Sequence, residues 1–242
     1  MKDFIRKSTN IFTSEFRNKL KSLVWNYTDW VSYNSYSNEG EDMILRKIFF
    51  KKKKGFYVDI GAYHPKKASN TYFFYKKGWK GINIDAMPGS MKLFNQVRKR
   101  DVNLEIPLGK EGQIVNYYEF YDKALNGFES QEIKEKHTKK QINGLVKIHQ
   151  LNCKSLNSIL MKYLDKDQKI DFLTIDVEGQ EYNILKELEF EKFKPKWILA
   201  ENWTYSIQEL NNDSLDELLK GVGYQPMAKT LNTVFYKVEE GV

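Results

Sequence analysis

The 242-residue sequence predicts an α/β fold: a mostly parallel seven-stranded sheet with a C-terminal antiparallel hairpin strand, preceded by an N-terminal helical extension. Three observations carry the prediction. From residue 56 onward, short apolar runs alternate with amphipathic helical stretches, the pattern of βαβ units and a parallel sheet. Several of these runs close on an acid at the rim where such sheets bind ligands. After the last helical stretch, runs at 223–228 and 233–238 face each other across a polar turn at 229–232, as a hairpin would.

Parallel strands are placed near 56–60, 80–85, 102–108, 170–176 and 196–201, the third with Val102, Leu104, Ile106 and Leu108 in strict alternation. Helices fill the gaps. Ser69 caps one carrying Tyr72 to Tyr75 and ending at Gly78; Pro88 suits the first turn of another bearing Met91, Phe94 and Val97. Three later helices are marked by Leu156, Ile159, Leu160 and Tyr163, then by Ile184, Leu185 and Leu188, and last by Leu215, Leu218, Leu219 and Val222. Between the third and fourth parallel strands lies an insertion at about 113–151, in which strands at 113–120 and 145–151 flank a polar stretch that is either a lid or a loop.

Ahead of this domain, taken as 51–242, residues 1–50 form the helical extension. Residues 2–25 set Phe12, Phe16, Leu20, Leu23 and Val24 at helical spacing, with Arg17, Lys19 and Lys21 between them. This basic amphipathic helix either packs on the domain or a second subunit, giving a homo-oligomer, or lies on a membrane surface as a peripheral contact. A second helix runs from about 39 to 50, its start marked by Asn38 and Glu41 in the spacing of a capping box.

No apolar run approaches the roughly 18 residues that cross a bilayer, and no secretory signal opens the chain. The single cysteine, Cys153, excludes an intrachain disulfide and fits a reducing compartment, so the expected location is cytoplasmic. The formal charge of +7 raises a nucleic-acid partner. However, lysine is abundant everywhere, and Lys51 to Lys54 reads as a solvated loop entering a strand. Nucleic acid is not the expected partner; an anionic small-molecule acceptor fits the charge equally.

The chemistry lies at the strand ends. The first strand ends in Asp59-Ile60-Gly61-Ala62-Tyr63-His64-Pro65, where Gly61 and Ala62 let a ligand approach the backbone. The second ends in Asp85, 24 residues after Gly61, near the roughly 20 at which an acid meets ribose hydroxyls. Together they address one nucleoside. The segment is not G-x-G-x-x-G and offers no cradle for a pyrophosphate, so a nicotinamide dinucleotide is disfavoured and S-adenosylmethionine is the expected cofactor. Its candidate contacts are Asp59, Gly61, Ala62, Tyr63, Asn70, Asp85, Ala86, Leu108 and Asp176.

The fourth strand ends in Asp176, followed by Val177-Glu178-Gly179-Gln180-Glu181, and the fifth ends in Glu201-Asn202. Glu181, in the first turn of a helix, is explained by the helix dipole. Asp176, Glu201 and Asn202 are either metal ligands for Mg²⁺ or Mn²⁺, which favour hard oxygen donors, or a polar cluster without metal. Asp176, Glu178 and His64 are the candidate catalytic groups, the last two as proton acceptors.

Tyr36-Ser37-Asn38-Glu39-Gly40-Glu41-Asp42, Asp59-Ile60-Gly61-Ala62 and Ile175-Asp176-Val177-Glu178-Gly179-Gln180-Glu181 together resemble the FkbM-type methyltransferases, over about residues 36–203. The resemblance implies a Rossmann-like class I methyltransferase fold, S-adenosylmethionine, and O-methylation of a sugar or glycan-type acceptor from surface-polysaccharide or secondary-metabolite biosynthesis. Many members carry Gly-Ala-Asn-x-Gly where this chain has Gly61-Ala62-Tyr63-His64-Pro65. The acid-acid-Asn arrangement is also similar to the metal triad of catechol-type O-methyltransferases, but Gly179 stands where those enzymes carry a lysine. Two rival classes remain in view: an RNA methyltransferase using the basic surface, for which no Asn-Pro-Pro-aromatic segment exists, and a non-catalytic binding module, against which the acids at the strand ends argue.

Overall fold

The computed structural model describes residues 13–27, 32–121, 126–128, 144–202 and 213–239. Two compact units divide between Ser35 and Tyr36. The first contains helix α1 (Ser14–Tyr27). The second contains all the other elements: α2 (Glu41–Ile48), β1 (Phe56–Ile60), α3 (Tyr72–Lys76), β2 (Lys80–Asp85), α4 (Met91–Val97), β3 (Val102–Glu105), β4 (Ile114–Phe120), β5 (Gly127–Phe128), β6 (Leu145–Asn152), α5 (Leu156–Tyr163), β7 (Phe172–Ile175), α6 (Glu181–Leu185), β8 (Trp197–Glu201), α7 (Ser214–Gly221), β9 (Tyr224–Lys229) and β10 (Thr233–Val238).

The main sheet has seven strands in the order β3-β2-β1-β7-β8-β10-β9. β3, β2, β1, β7 and β8 run parallel, and β10 is antiparallel to both its neighbours. This is the Rossmann-like sheet expected from the sequence, and the reversal of strand order between β1 and β7 opens the cleft.

Side chains alternate along the strands to build two apolar layers. Val58, Ile60, Ile82, Ile84, Leu173, Ile175, Ile198 and Ala200 pack on one face against Leu156, Ile159 and Leu160 of α5, Ile184 and Leu185 of α6 and Leu215 and Leu219 of α7. Tyr57, Phe172, Leu199 and Phe235 pack on the other against Leu45 of α2, Phe74 of α3 and Trp79. Because Leu45 is fully buried in that second layer, α2 belongs to the larger unit and not to an N-terminal extension reaching residue 50.

The capping box does not form. Gly40, with φ +87°, precedes α2 without a side-chain cap, and Glu41 instead accepts the Glu39 N–H at 2.9 Å. Glu39 in turn holds Asn232 through its backbone N–H (2.9 Å) and side-chain amide (2.8 Å), tying this segment to the turn before β10. Ser69 does act at the start of α3, accepting the Tyr72 N–H at 3.1 Å.

A second, three-stranded antiparallel sheet, β5-β4-β6, is the described part of the insertion. The central polar stretch, 129–143, lies outside the described residues, as do Phe12 and the other residues before 13.

Arg98 and Asp101 hold the loop after β1. Both lie after α4 with fully buried side chains. Arg98 donates to the Pro65 carbonyl (2.7 Å), Ser69 Oγ (2.8 Å), Thr71 Oγ1 (3.1 Å) and Tyr57 Oη (3.1 Å). Asp101 accepts the Tyr57 hydroxyl (2.6 Å), the Gly81 N–H and the Asn83 amide (both 3.1 Å). Removing one member of such a buried pair strands the other's charge. Arg98→Met is therefore expected to destabilise by about 3–5 kcal/mol, measured by urea unfolding; a loss below about 1 kcal/mol would show the network to be dispensable.

Candidate active site

The ends of β1, β2 and β7 are stitched together by backbone. Gly61 and Ala62 N–H groups both donate to the Ile84 carbonyl (2.9 and 3.0 Å), and the Asp176 N–H donates to the Ile60 carbonyl (3.0 Å). Gly61 has φ +81°, and a Cβ built there would lie 1.7 Å from the Asp176 carbonyl oxygen. Only glycine fits.

Above these ends opens a cavity of about 310 Å³. Its β2–β3 side is Ile84, Asp85, Ala86, Ile106 and Leu108; its β1 side is Ile60, Gly61, Tyr63, Lys67, Ala68 and Asn38; Asp176, Val177, Glu178 and Ile184 form the floor near α6. Tyr117, Asn126, Gly127 and Phe128 of the second sheet form the remaining wall, so the insertion contributes directly to the cleft. Asn126 is fixed there, its side-chain oxygen accepting the Phe120 N–H at 2.8 Å.

Of the expected cofactor contacts, Gly61, Tyr63, Asp85, Ala86, Leu108 and Asp176 line this cavity, and Asp59, Ala62 and Asn70 do not. Asp59 points the other way along the strand, as alternation requires, and its carboxylate accepts the Thr71 hydroxyl at 2.6 Å. Ala62 packs on Met91 and Phe94. Asn70 donates to Thr174 Oγ1 at 2.9 Å. Burial pushes Asp59 and Asp85 each up to about 6, against the hydrogen bonds they accept from Thr71 and from the Met87 N–H.

His64 is not a cavity residue. Its Nδ1 accepts the Lys66 and Lys67 N–H groups at 3.1 and 3.0 Å, which makes it the anchor of its own turn, and burial with the neighbouring lysines lowers its pKa.

The acids of β7, α6 and β8 do converge. Asp176, Glu181 and Glu201 each offer a carboxylate oxygen, all within 4.8 Å of one another. Glu181 joins the group although the helix dipole had sufficed to explain it; one of its oxygens accepts the Val177 N–H at 2.8 Å. Asn202 lies beside them, buried, and with Glu181 and Glu201 lines a second cavity of about 390 Å³. Glu178 sits between the cavity and the cluster with φ +52°, a left-handed backbone that a glutamate adopts only when its surroundings enforce it.

Electrostatically the cluster holds a proton. Burial, then the charges of Asp176, Glu178 and Glu181, push Glu201 up to about 9, and it hydrogen-bonds to Asp176. Asp176 is exposed to the cleft, and its pKa is also raised, chiefly by partial desolvation among the groups around it. One oxygen of Glu201, Oε2, is buried with no hydrogen-bond partner.

A parallel sheet whose switch-point cavity holds an acid at the end of β2 and a glycine pressed against the next strand end is an arrangement suited to a nucleoside-containing cofactor. The family model described as the methyltransferase FkbM domain matches residues 59–226, and the chain belongs to that family. Among solved structures it is similar to a TehB-like S-adenosylmethionine-dependent methyltransferase from Corynebacterium glutamicum, at 9% identity and TM-score 0.40, covering 93% of this chain and 97% of that one. It is similar also to an O-methyltransferase from Bacillus cereus in complex with S-adenosylhomocysteine, at 10% identity and TM-score 0.41, covering 85% and 84%. The Methanococcus jannaschii fibrillarin pre-rRNA processing protein matches at 12% identity and TM-score 0.42, over 79% and 69%. No curated protein matches the chain.

The Glu201 proton has a consequence for stability. A carboxyl whose folded pKa lies above its unfolded value keeps its proton longer in the native state, so stability falls as pH rises from about 4.5 to about 9. Above pH 7 Asp59 and Asp85 have finished titrating, which isolates the cluster. In metal-free buffer the melting temperature should fall between pH 7 and 9, and Glu201→Gln, which mimics the protonated acid, should flatten that slope; equal slopes in both proteins would rule out the shared proton.

Proposed function

We propose that the enzyme methylates a hydroxyl of a sugar or glycan precursor. One observation carries the reading: a cluster of acids with raised pKa opens, through Asp176, into the same cleft that Asp85 enters from the nucleoside side. S-adenosylmethionine supplies an electrophilic methyl group on its sulfonium sulfur. Asp85 is placed to accept hydrogen bonds from the ribose hydroxyls, and Ala86, Ile106, Leu108 and Ile184 give the adenine an apolar slot. Lys67, the sole cation among the described residues lining the cavity, faces the amino-acid end, where the α-carboxylate requires a positive partner.

A hydroxyl becomes an effective nucleophile as it loses its proton, so a base must stand beside the methyl donor. Asp176 takes that role: its raised pKa makes it a stronger base than an ordinary aspartate, and Glu201 steadies it through their shared proton. Glu178, on the turn facing the cavity, binds a neighbouring acceptor hydroxyl. Release of the product leaves one proton more than at rest on the cluster, and that extra proton is lost to solvent through the open side of the cleft.

The cluster also fits a divalent cation. Three carboxylates with oxygens within 4.8 Å of one another, with Glu201 Oε2 lacking a partner and Asn202 beside them, are the kind of hard-oxygen set that Mg²⁺ or Mn²⁺ takes. A bound cation would lower the pKa of a ligated hydroxyl. Binding must displace the Glu201 proton. Calorimetric titration with Mn²⁺ at pH 7.5 should therefore give a heat that depends on the buffer's ionisation enthalpy, and Glu201→Gln should abolish it; a heat independent of buffer, or no binding, removes the cation from the account.

Three further experiments test the reading. Incubation with nucleotide-linked sugars should add one methyl group to the sugar, read by mass spectrometry, whereas methylation of RNA with untouched sugars would replace the reading by the RNA alternative. Calorimetry should show that Asp85→Ala weakens S-adenosylhomocysteine by about ten- to a hundredfold, the worth of hydrogen bonds to a charged group. Lys67→Met should weaken S-adenosylhomocysteine similarly but leave 5′-methylthioadenosine, which lacks the amino acid, unaffected; equal losses for both ligands would remove Lys67 from the carboxylate.

A further inference from the structure

Helix α1 carries a second functional surface. At 100° per residue, Phe16, Leu20, Leu23 and Tyr27 fall on one narrow stripe of the helix. All four are exposed, at 47%, 40%, 49% and 81%. Arg17 flanks the stripe on one side and Lys19 on the other, Lys21 lies further round behind Arg17, and the single acid, Glu15, lies in the first turn behind Lys19. Fourteen residues are too few to cross a bilayer, and among the described residues no helix is long and apolar enough to do so.

We infer that α1 is an in-plane anchor that docks on an anionic lipid surface. The charges decide between lipid and a second copy of the chain. Two α1 stripes packed together would bring the bordering Arg17 and Lys19 of one helix towards those of the other, with the single acid of the helix, Glu15, set behind Lys19. Anionic head groups satisfy all three cations while the apolar side chains enter the interface between head groups and acyl chains. The net charge of +7 on the chain adds long-range attraction to the same surface. Such an anchor suits an acceptor presented at a membrane. The inference does not need that, because it stands on the helix alone.

Co-sedimentation of the full chain with vesicles tests it. Vesicles of phosphatidylglycerol and phosphatidylcholine should carry the protein down, pure phosphatidylcholine should not, and added salt should weaken binding as screening grows. Leu20→Glu/Leu23→Glu should reduce partitioning by about tenfold or more. The control Lys51→Glu/Lys53→Glu, which changes exposed charges outside the helix, should reduce it less than the paired change Lys19→Glu/Lys21→Glu. Unchanged S-adenosylhomocysteine binding confirms that each variant is folded. Absence of vesicle binding, binding indifferent to Leu20 and Leu23, or a dimer in analytical ultracentrifugation that Leu20→Glu/Leu23→Glu dissociates would overturn the anchor.

Discussion

The close approach of Gly61 to the Asp176 carbonyl is the constraint on which the rest of the site depends. A side chain at that point would collide with the backbone of the neighbouring strand end, so β1 and β7 can meet only through a glycine. Their meeting does two things. It lowers the rim of the sheet, leaving room for a nucleoside against backbone, and it fixes Asp176 at the boundary between that room and the acids of α6 and β8. The cleft and the acid cluster are thus two sides of one contact.

The contact is supported from outside the cleft. Arg98, paired with Asp101, holds Pro65, Ser69 and Thr71, and with them the loop that carries Tyr63, Lys67 and Ala68 into the cavity. Asp59 joins this support through Thr71. A buried polar network of this kind is costly to assemble and rigid once satisfied. The loop needs that rigidity because it lacks the glycines that commonly shape a nucleotide-binding turn, and Ala68 itself adopts a left-handed backbone, φ +49°.

Much of this was legible in the sequence because the parallel strands are buried on both faces and read as plain apolar runs. The five parallel strands, Asp85, Asp176 and the C-terminal hairpin followed from that pattern, although β3 ends at Glu105 and Leu108 forms only an isolated bridge with Lys154. What escaped depends on geometry that no periodicity encodes. Asn38 sits in the spacing of a cap yet lines the cavity, since Gly40 turns the chain first. His64 lies next to the cleft in sequence but spends its ring on the amides of Lys66 and Lys67. Glu181 had a sufficient local explanation in its helix, and only the packing of α6 beside β8 brings it to Glu201. Tyr117, Asn126 and Phe128 reach the cleft by a sheet whose pairing, β4 with β6 and β5, spans the insertion and cannot be read from either strand alone.

The account makes Asp176 the hinge between binding and chemistry, and Asp176→Asn measured two ways tests that directly. S-adenosylhomocysteine affinity should stay within a few-fold of the wild type, because the fold at Gly61 touches the backbone of residue 176 and not its carboxylate. Methyl transfer to a sugar acceptor should fall by about a hundredfold or more, the contribution of a positioned base. Transfer that survives the substitution, or affinity that collapses together with transfer, would contradict the account.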